Sequence, residues 1–355
     1  ATGTGKTVLQ SGFIDRFWLS GGSVFVVDLK GEYVYKDYPL QKKFWRFVLR
    51  QEEPVGVKIK SYYPYFLTHY TGKKPEKNER YIQYNFRDLT PLDLRTMLKI
   101  DDERIMSVIN RIYGEIKKGK IESYEEIAEE IKNDESLHPL TKRNLLSKLA
   151  NAVRMGILGD KFEPPEIIED LNEGIIVNLD LKGITQFPDA DNPAGTYLAI
   201  MLRQLYNAKV FNKLDRKTHH LIAIDEVNKF CPNIGLSSSK KEILKLLDLS
   251  RSERISLWYS TQDHRRIPST LLKQANYIFI GYKIFLDDLA EIFKIALPEE
   301  YDVPQTFKSK VAGILGSMKK HKDGSRDWLF INRDEKYYST IRPLMPLSYV
   351  VEEVV

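Results

Sequence analysis

Five short apolar runs recur along the chain, each rich in β-branched or aromatic residues and with turn-forming residues nearby. They are SVFVVDL (23–29), GIIVNLDL (174–181), HLIAIDE (220–226), SLWYSTQ (256–262) and NYIFIGYK (276–283). Because each run is apolar along nearly its whole length, it is typical of a strand buried on both faces. Helical patterns alternate with the later runs, which predicts an α/β fold with a mostly parallel sheet covered by helices.

Three segments carry clear helical patterns. VLQSGFIDRFWLSGG (8–22) fits a helix, and SSSKKEILKLLDLSRSE (237–253) fits an amphipathic one. In DNPAGTYLAIMLRQLYNAKVF (191–211) the apolar stripe consists of Ala194, Tyr197, Leu198, Met201, Leu202 and Leu205. A stripe of this width predicts a helix that packs one face against the core.

A long stretch between the first two apolar runs divides into two parts. Residues 36–84 are basic and Tyr-rich with few clear elements, whereas residues 88–160 have helical patterns. Thr90 is a candidate N-cap for the first of these helices, with Pro91 just inside it. The stretch therefore predicts a helical insertion in the α/β core.

The C-terminal part completes the predicted organisation. WLFINRD (328–334) and YYSTIRPLM (337–345) are typical of a terminal strand pair. We expect a discontinuous core over residues 1–84 and 165–342, with its first strand missing. We also expect a helical insertion over residues 85–164 and a C-terminal tail over residues 343–355.

Composition narrows the class of protein. The chain has 355 residues, 42% of them apolar, so a sizeable core can form. The longest apolar run is too short for a membrane span, so we expect no membrane contact from this fragment. The single cysteine, Cys231, excludes an internal disulfide framework and fits a reducing cytoplasm. A net charge of +5 permits a polyanionic partner without requiring one.

The chain opens with ATGTGKT, which matches the end of the phosphate-binding pattern G-x-x-x-x-G-K-[ST]. Backbone N–H groups of Gly3, Thr4 and Gly5 would surround the phosphates of a nucleotide. Lys6 would reach the β- and γ-phosphates, and the Thr7 hydroxyl would bind Mg²⁺. The first Gly of the pattern and its preceding strand are missing, so we expect the chain to be a fragment. A Gly-rich surface turn is the alternative that this motif alone leaves open.

A second motif lies at the end of HLIAIDE. An apolar strand that ends in two acids is what a Walker B site requires: Asp225 would hold Mg²⁺, and Glu226 would orient and polarise the attacking water. The alternative is an acidic strand end that simply meets solvent. Because ligands of open α/β sheets lie at the carboxyl ends of strands, the two motifs together favour ATP hydrolysis. A GTPase is disfavoured, because Cys231 stands where the base-binding Asp of Asn228-Lys229-x-Asp is required.

Two further features concern the γ-phosphate. SLWYSTQ ends in Thr261-Gln262, and the amide of Gln262 could hydrogen-bond the γ-phosphate or the lytic water. Upstream, SRSERIS holds Arg251 and Arg254, either of which could act as an arginine finger on a neighbour's nucleotide. A solvated helix end, where basic residues are favoured, is the alternative for both arginines.

The set TGTGKT, VVDLKGEY, LIAIDEVNKFCP, SRSERI and STQDHRRIPSTLLKQANYIFIGYK resembles the HerA–FtsK superfamily of hexameric DNA-pumping ATPases, and most of all its archaeal HerA-like branch. The resemblance implies a RecA-like P-loop core, ATP and Mg²⁺ as ligands, and a homohexamer that translocates double-stranded DNA, with a nuclease as a possible partner class. It assigns the trans arginine to Arg251 or Arg254, and Arg254 lies nearer the strand. Val227-Asn228 replaces the usual Ala-His. Family members often carry an N-terminal β-barrel, which lies outside these 355 residues if the full protein has one.

In VVDLKGEY, Asp28 and Glu32 follow a strand's carboxyl end. They could support the site by contacting the residues that bind the nucleotide and the metal. Alternatively, Glu32 could simply cap a turn.

Two basic segments are candidates for DNA contact. Their basic residues are Lys36, Lys42, Lys43, Arg46, Arg50, Lys58 and Lys60, then Lys73, Lys74, Lys77 and Arg80. Tyr33, Tyr35, Tyr38, Phe44 and Trp45 are interleaved with the first segment. Basic side chains bind phosphates without reading sequence, and aromatic rings can stack on bases. The alternative is a solvated basic face whose aromatic rings pack inward.

Three hypotheses about function follow. The leading hypothesis is an ATP-driven motor that translocates double-stranded DNA. The second keeps the ATPase but changes its cargo, as in coupling ATPases of conjugation and secretion or in viral genome packaging. The third is a nucleotide-gated switch or scaffold with negligible turnover, against which Glu226 argues.

Overall fold

A parallel sheet of six strands forms the centre of the chain in the computed structural model. The described residues are 5–34, 36–47, 52–65, 79–154, 158–159, 166–183, 191–235, 237–249, 252–281, 284–298, 304–321 and 326–348. Their strands are β1 (Ser23–Asp28), β2 (Ile59–Pro64), β3 (Glu79–Ile82), β4 (Ile176–Asp180), β5 (His220–Ile224), β6 (Ile255–Tyr259), β7 (Tyr277–Gly281), β8 (Trp328–Asn332) and β9 (Tyr337–Ile341). The order in the large sheet is β3-β2-β4-β1-β5-β6, and all neighbouring strands run parallel.

Some helices of the described residues cover this sheet, and others form the region between β3 and β4. They are α1 (Lys6–Leu19), α2 (Pro91–Leu98), α3 (Glu103–Lys117), α4 (Tyr124–Asn133), α5 (Pro139–Arg154), α6 (Ile167–Asn172), α7 (Asp191–Val210), α8 (Ser238–Leu249), α9 (Ser269–Gln274), α10 (Leu286–Ala296) and α11 (Pro304–Ser317). Within the described part of the chain, no helix combines the length and the apolar character that crossing a bilayer requires.

The central strand β1 shows why the sheet needs cover on both sides, because all six of its residues are buried. Val24 and Val26 pack with Ile14 of α1 on one face. Phe25 and Val27 belong to the larger core on the other face, which includes the predicted apolar stripe of α7. The α/β sandwich expected from the apolar runs is confirmed.

The region between β3 and β4 is helical, as expected from its sequence. Thr90 caps α2 through a reciprocal box with Asp93, whose carboxylate accepts the Thr90 backbone N–H at 2.7 Å. Asp93 also pairs with Arg203 of α7 at 2.6 Å, and Arg203 pairs with Glu242 of α8 at 3.2 Å. This ion-paired triad ties α2 to the core. The boundaries of the insertion and the tail stay predictions.

The fifth apolar run does not join the parallel sheet, which corrects the expectation from sequence. NYIFIGYK supplies β7, which pairs antiparallel with β8, and β8 pairs antiparallel with β9 in a separate three-stranded sheet. This small sheet packs with α10 and α11 through residues such as Leu289, Phe293 and Leu329. The terminal strand pair predicted over 328–345 is confirmed.

Two strands of the large sheet were not expected. β2 and β3 lie in the Tyr-rich segment that shows few clear elements in the sequence. Charged and polar residues interrupt both strands, each strand has partly exposed positions, and β3, at the edge of the sheet, is only four residues long. Neither strand therefore has the continuous apolar run that marks the central strands.

A buried ion pair fixes helix α1 to two distant segments. The ammonium of Lys36 lies 2.6 Å from Asp15 Oδ1 and donates to the hydroxyls of Ser11 at 2.6 Å and Ser348 at 2.5 Å. Asp15 also accepts the backbone N–H groups of Leu347 and Ser348 at 2.8 and 2.9 Å. Lys36 and Asp15 are 1% and 0% exposed, so both charges depend on these partners.

Replacing Lys36 by Met should therefore lower the free energy of unfolding by about 3 kcal/mol, because it leaves the Asp15 carboxylate buried without a cation. Urea denaturation of the variant and the wild type measures the difference. Lys42→Met, at an exposed lysine of the same segment, is the control and should change stability by less than ~0.5 kcal/mol. Equal stabilities of Lys36→Met and wild type would contradict the account of this pair.

His220, at the start of β5, makes stability depend on pH. Burial, reinforced by the ammonium of Lys209, lowers the pKa of His220 to about 4, against ~6.5 for an unfolded histidine. Between these two values only the unfolded chain takes up the proton, so stability should be lost as pH falls through this window.

Replacing His220 by Gln should therefore flatten the decline in the free energy of unfolding between pH 6.5 and 4 by about 3 kcal/mol. Chemical denaturation at a series of pH values measures this slope. His138→Gln, at an exposed histidine of the helical region, should keep the slope of the wild type. A His220→Gln variant that declines as steeply as the wild type would rule out the assignment.

Candidate active site

The first turn of α1 presents the residues of the N-terminal motif. Gly5 precedes the helix with a left-handed backbone (φ 84°), which favours glycine, and Lys6 and Thr7 are the first two helical residues. The free N–H groups of a helix N-terminus form a site for anions. Burial lowers the pKa of Lys6, although the carboxylates of Glu226 and Asp225 act in the opposite direction. Gly3 and Thr4 lie outside the described residues.

The two acids that follow β5 lie side by side at the carboxyl edge of the sheet. Asp225 is 1% exposed, and its Oδ1 accepts the hydroxyl of Ser260 at 2.6 Å. Glu226 has a left-handed backbone (φ 49°, ψ 53°), which is uncommon for a residue other than glycine. Strained backbone of this kind is tolerated where the surroundings fix it.

The amide at the end of β6 contacts one of these acids directly. Gln262 Nε2 donates to Glu226 Oε1 at 2.7 Å, so the carboxylate is held from the side of the neighbouring strand. Thr261 does not join this contact, because its hydroxyl lies within hydrogen-bond distance of Asn228 Oδ1 at 3.2 Å and Asp263 O at 3.0 Å in the adjoining turn. Of the predicted polar pair, Gln262 faces the acids and Thr261 faces the turn.

Lys30 is a site residue that was not predicted from the sequence. Its ammonium lies 3.3 Å from Asp225 Oδ2 and 3.5 Å from Glu226 Oε1. Burial acts to lower the pKa of Lys30, but the carboxylates of Asp225, Glu32 and Glu226 raise it above the ordinary value. The signal in the sequence was a lysine just past the end of a buried strand, in VVDLKGEY.

Ser260 was also missed as a site residue. It sits directly after β6, and its hydroxyl faces Asp225 while also accepting the Glu226 backbone N–H at 3.4 Å. A polar residue immediately before Thr261-Gln262 at the end of an apolar strand is the pattern that could have indicated it.

Asp28 shapes the segment after β1 rather than facing the acids. Its carboxylate is fully buried and accepts the backbone N–H groups of Lys30, Gly31 and Tyr33 at 3.0, 2.8 and 3.0 Å. Burial, together with the charge of Asp180 on the neighbouring strand, raises the pKa of Asp28 to about 7.

The oxygen donors near Thr7 fit a hard divalent cation. They include the Thr7 hydroxyl and the carboxylates of Asp225, Glu226 and Glu32. Asp225 Oδ2 is buried and accepts no hydrogen bond from any described residue, with the Lys30 ammonium as its ionic neighbour. An oxygen in this condition is suited to a metal ion.

Arg254 lies at the opposite edge of the sheet from these residues. It immediately precedes β6, is exposed, and has a left-handed backbone (φ 53°). Its Nη1 donates to the carbonyl of Lys217 at 2.9 Å. The length of β6 separates it by roughly 20 Å from Gln262, so it cannot complete the site of its own chain. Arg251 lies outside the described residues.

The expected DNA-contacting segment is corrected at two positions. Lys36 is buried against Asp15, and Lys60 pairs with Asp170 at 2.8 Å and with Glu166 at 3.1 Å, so neither ammonium faces a partner. The charge of Lys36 neutralises buried Asp15, and the charge of Lys60 neutralises Asp170 of α6 and the adjoining Glu166.

The other residues of the two basic segments differ in their exposure, and several lie outside the described part of the chain. Lys42, Lys58 and Arg80 are exposed. Tyr33 and Phe44 pack inward, whereas Tyr38 and Trp45 are 59% and 46% exposed. Outside the described residues or side chains lie Tyr35, Lys43, Arg46, Arg50, Lys73, Lys74 and Lys77.

Comparisons with known proteins place this chain in a family. A family model described as the central domain of helicase HerA matches residues 1–191. A search of curated proteins found no match. Among solved structures, VirB4 of Thermoanaerobacter pseudethanolicus is similar over 97% of this chain and 87% of its own, at 14% identity and a TM-score of 0.59.

Two further structures are similar at lower scores. The bacterial conjugative coupling protein TrwBdeltaN70 aligns over 98% of this chain and 77% of its own, at 11% identity and a TM-score of 0.48. The genome packaging NTPase B204 from Sulfolobus turreted icosahedral virus 2, in complex with AMPPCP, aligns over 50% of this chain and 71% of its own, at 16% identity and a TM-score of 0.33.

The family model covers more than half of the 355 residues, and it includes α1 and the VVDLKGEY segment. The VirB4 structure adds likeness in fold over nearly the whole chain. The chain therefore belongs to the family of the HerA helicase central domain and is a P-loop ATPase with a RecA-like α/β fold.

Proposed function

We propose that this chain is the motor subunit of a ring that hydrolyses ATP to move double-stranded DNA. The observation that carries the proposal is the hydrogen bond of 2.7 Å between Gln262 and Glu226. It links the acid that would activate water to a side chain on the neighbouring strand, which could also reach a γ-phosphate. Because Gln262 could contact both Glu226 and the γ-phosphate, loss of that phosphate on hydrolysis could change its position and that of the strand β6 before it.

The roles of the remaining residues follow from their chemistry. Lys6 and the N-terminal N–H groups of α1 would bind the phosphates. Thr7 and Asp225 would hold Mg²⁺, which supplies charge neutralisation to the triphosphate when bound. Glu226 would accept a proton from the attacking water, and the amide of Gln262 would keep its carboxylate aimed at that water.

The arginine of the mechanism would come from a neighbouring subunit. Among the described residues, the cations beside the two acids are Lys6 and Lys30, and Arg254 lies at the far edge of its own sheet. An arginine placed there could serve only the nucleotide of another copy. The proposal therefore includes a closed ring, most simply of six subunits, as the sequence resemblance implies.

DNA as the cargo is supported by the family and by surface charge. The matching model is that of a helicase central domain, and Lys42, Lys58 and Arg80 are exposed cations in the segments expected to contact phosphates. Coupling ATPases of conjugation or secretion and viral packaging ATPases share the fold, so their cargo classes are the alternatives. A nuclease partner and a cytoplasmic location rest on sequence alone.

Replacing Glu226 by Gln should lower ATP turnover by at least ~100-fold, because an amide cannot accept the proton of the attacking water. Nucleotide affinity should stay within a few-fold of the wild type. The wild type should hydrolyse ATP faster with double-stranded DNA of any sequence, and raising the salt concentration should reduce this stimulation. A phosphate-release assay with and without DNA, at low and high salt, measures turnover and its stimulation, and calorimetry measures nucleotide affinity.

The control for this experiment is Glu173→Gln, at an exposed glutamate after α6, which should behave as the wild type. Turnover that is indifferent to DNA would remove the DNA motor and favour another cargo. Turnover that is negligible in the wild type would favour the switch or scaffold.

Replacing Arg254 by Ala should abolish hydrolysis and leave nucleotide binding nearly unchanged. If the arginine acts on a neighbour, mixing Arg254→Ala with Glu226→Gln subunits should restore activity. In such a mixture, the intact acids of one variant meet the intact arginine of the other. Steady-state turnover as a function of the mixing ratio should pass through a maximum.

Arg216→Ala, at an exposed arginine of the adjoining loop at the same edge of the sheet, is the matched control and should keep full activity. No recovery in the mixture, or loss of nucleotide binding by Arg254→Ala alone, would show that Arg254 supports its own fold through the contact with Lys217.

A further inference from the structure

The segment that follows β1 is held in one conformation by its own buried acid. The Asp28 carboxylate accepts the N–H groups of Lys30, Gly31 and Tyr33, which surround the Glu32 position. Gly31 has a left-handed backbone (φ 71°), and a Cβ atom there would lie 2.8 Å from Cδ of Lys182. Tyr33 is 1% exposed. The backbone that carries Glu32 is therefore fixed on both sides.

From this backbone, the Glu32 side chain reaches the metal-binding residue of α1. Thr7 Oγ1 donates its hydrogen to Glu32 Oε2 at 2.7 Å. A threonine hydroxyl has one hydrogen and two lone pairs, so a strong acceptor for the hydrogen decides where the lone pairs point. The hydrogen goes to Glu32, whereas Asp225 Oδ1 accepts the hydroxyl of Ser260 at 2.6 Å and Asp225 Oδ2 lies 3.3 Å from the Lys30 ammonium.

The contact does not serve the turn in which Glu32 lies. A capping role would require the Glu32 carboxylate to accept N–H groups of its own segment, and those groups are taken by Asp28. Within the described residues, the hydrogen bond of Glu32 crosses to a residue 25 positions away on another element. The hydrogen bond of Glu32 therefore serves the site and not the local turn.

We infer that Glu32 is a positioning residue that orients the Thr7 hydroxyl so that its lone pairs face the divalent cation bound with the nucleotide. The inference rests on the proposed function of the site as a nucleotide and metal centre. Glu32 would be a third acid of the site. Unlike Asp225 and Glu226, it would act through the Thr7 hydroxyl. Residues of this kind typically change metal affinity by ~10- to 100-fold.

The test measures metal binding rather than turnover. Mn²⁺ is titrated into the chain saturated with AMPPNP, and free Mn²⁺ is followed by its EPR signal. Glu32→Ala should weaken Mn²⁺ affinity by at least ~10-fold. Affinity for AMPPNP in EDTA, measured by calorimetry, should change less than twofold. Glu32→Gln keeps an oxygen acceptor for the hydroxyl, so its Mn²⁺ affinity should fall between those of Glu32→Ala and the wild type.

A double-mutant cycle with Thr7→Val separates positioning from direct charge. If Glu32 acts through the hydroxyl, Glu32→Ala should have no further effect on Mn²⁺ affinity once that hydroxyl is absent. An equal loss in both backgrounds would mean that the carboxylate acts on the metal by itself, and it would overturn the inference. Asp37→Asn, at an exposed acid a few residues away, should match the wild type, and thermal melts should show all variants folded.

The remaining outcomes are equally decisive. Unchanged Mn²⁺ affinity in Glu32→Ala, or a parallel loss of metal-free AMPPNP binding, would overturn the positioning role. A wild type that binds Mn²⁺ with AMPPNP but shows no DNA-stimulated turnover would end the proposed motor while leaving the role of Glu32 intact. A wild type that binds neither ligand would end both.

Discussion

Acids placed where parallel strands end must find hydrogen-bond donors or cations, and this constraint organises the molecule. The carboxyl ends of β1, β4 and β5 carry Asp28, Asp180 and Asp225, which lie at one edge because the strands run in register. Asp28 is stabilised by backbone N–H groups, and Asp225 by Lys30. A phosphate-binding helix whose lysine faces the same edge turns this concentration of charge into a site.

Helix α1 is held at its first turn and near its middle, which suits a helix that must keep its N-terminus in place. Near its middle, the buried pair of Asp15 and Lys36 ties it to the C-terminal segment. At its first turn, Thr7 bonds to Glu32. Gly12 lets the C-terminal segment approach closely, since a Cβ atom there would lie 2.9 Å from the carbonyl oxygen of Leu344. The polar groups of both anchors are largely shielded from water, so water could not replace a hydrogen bond that is lost there.

The sequence predicted the central strands and the helices because continuous apolar runs and capped amphipathic patterns are local signals. It missed β2 and β3, because charged and polar residues interrupt both strands and leave no continuous apolar run. It also placed β7 in the wrong sheet, because an apolar run carries no information about its pairing partner. Asp225, Glu226 and Gln262 were predicted from their positions at strand ends. The contacts of Lys30 and Glu32 join residues 196 and 25 positions apart and depend on the folded chain.

The central claim is that one cation site lies between the first turn of α1 and the end of β5. Crystals grown with Mn²⁺ and a non-hydrolysable ATP analogue test it most directly, because anomalous scattering locates the metal without reference to the protein. The account predicts a single strong peak between the Thr7 hydroxyl and the Asp225 carboxylate. A peak elsewhere, for example at the group of His264, Asp288 and Glu291, with none beside Thr7, would contradict it.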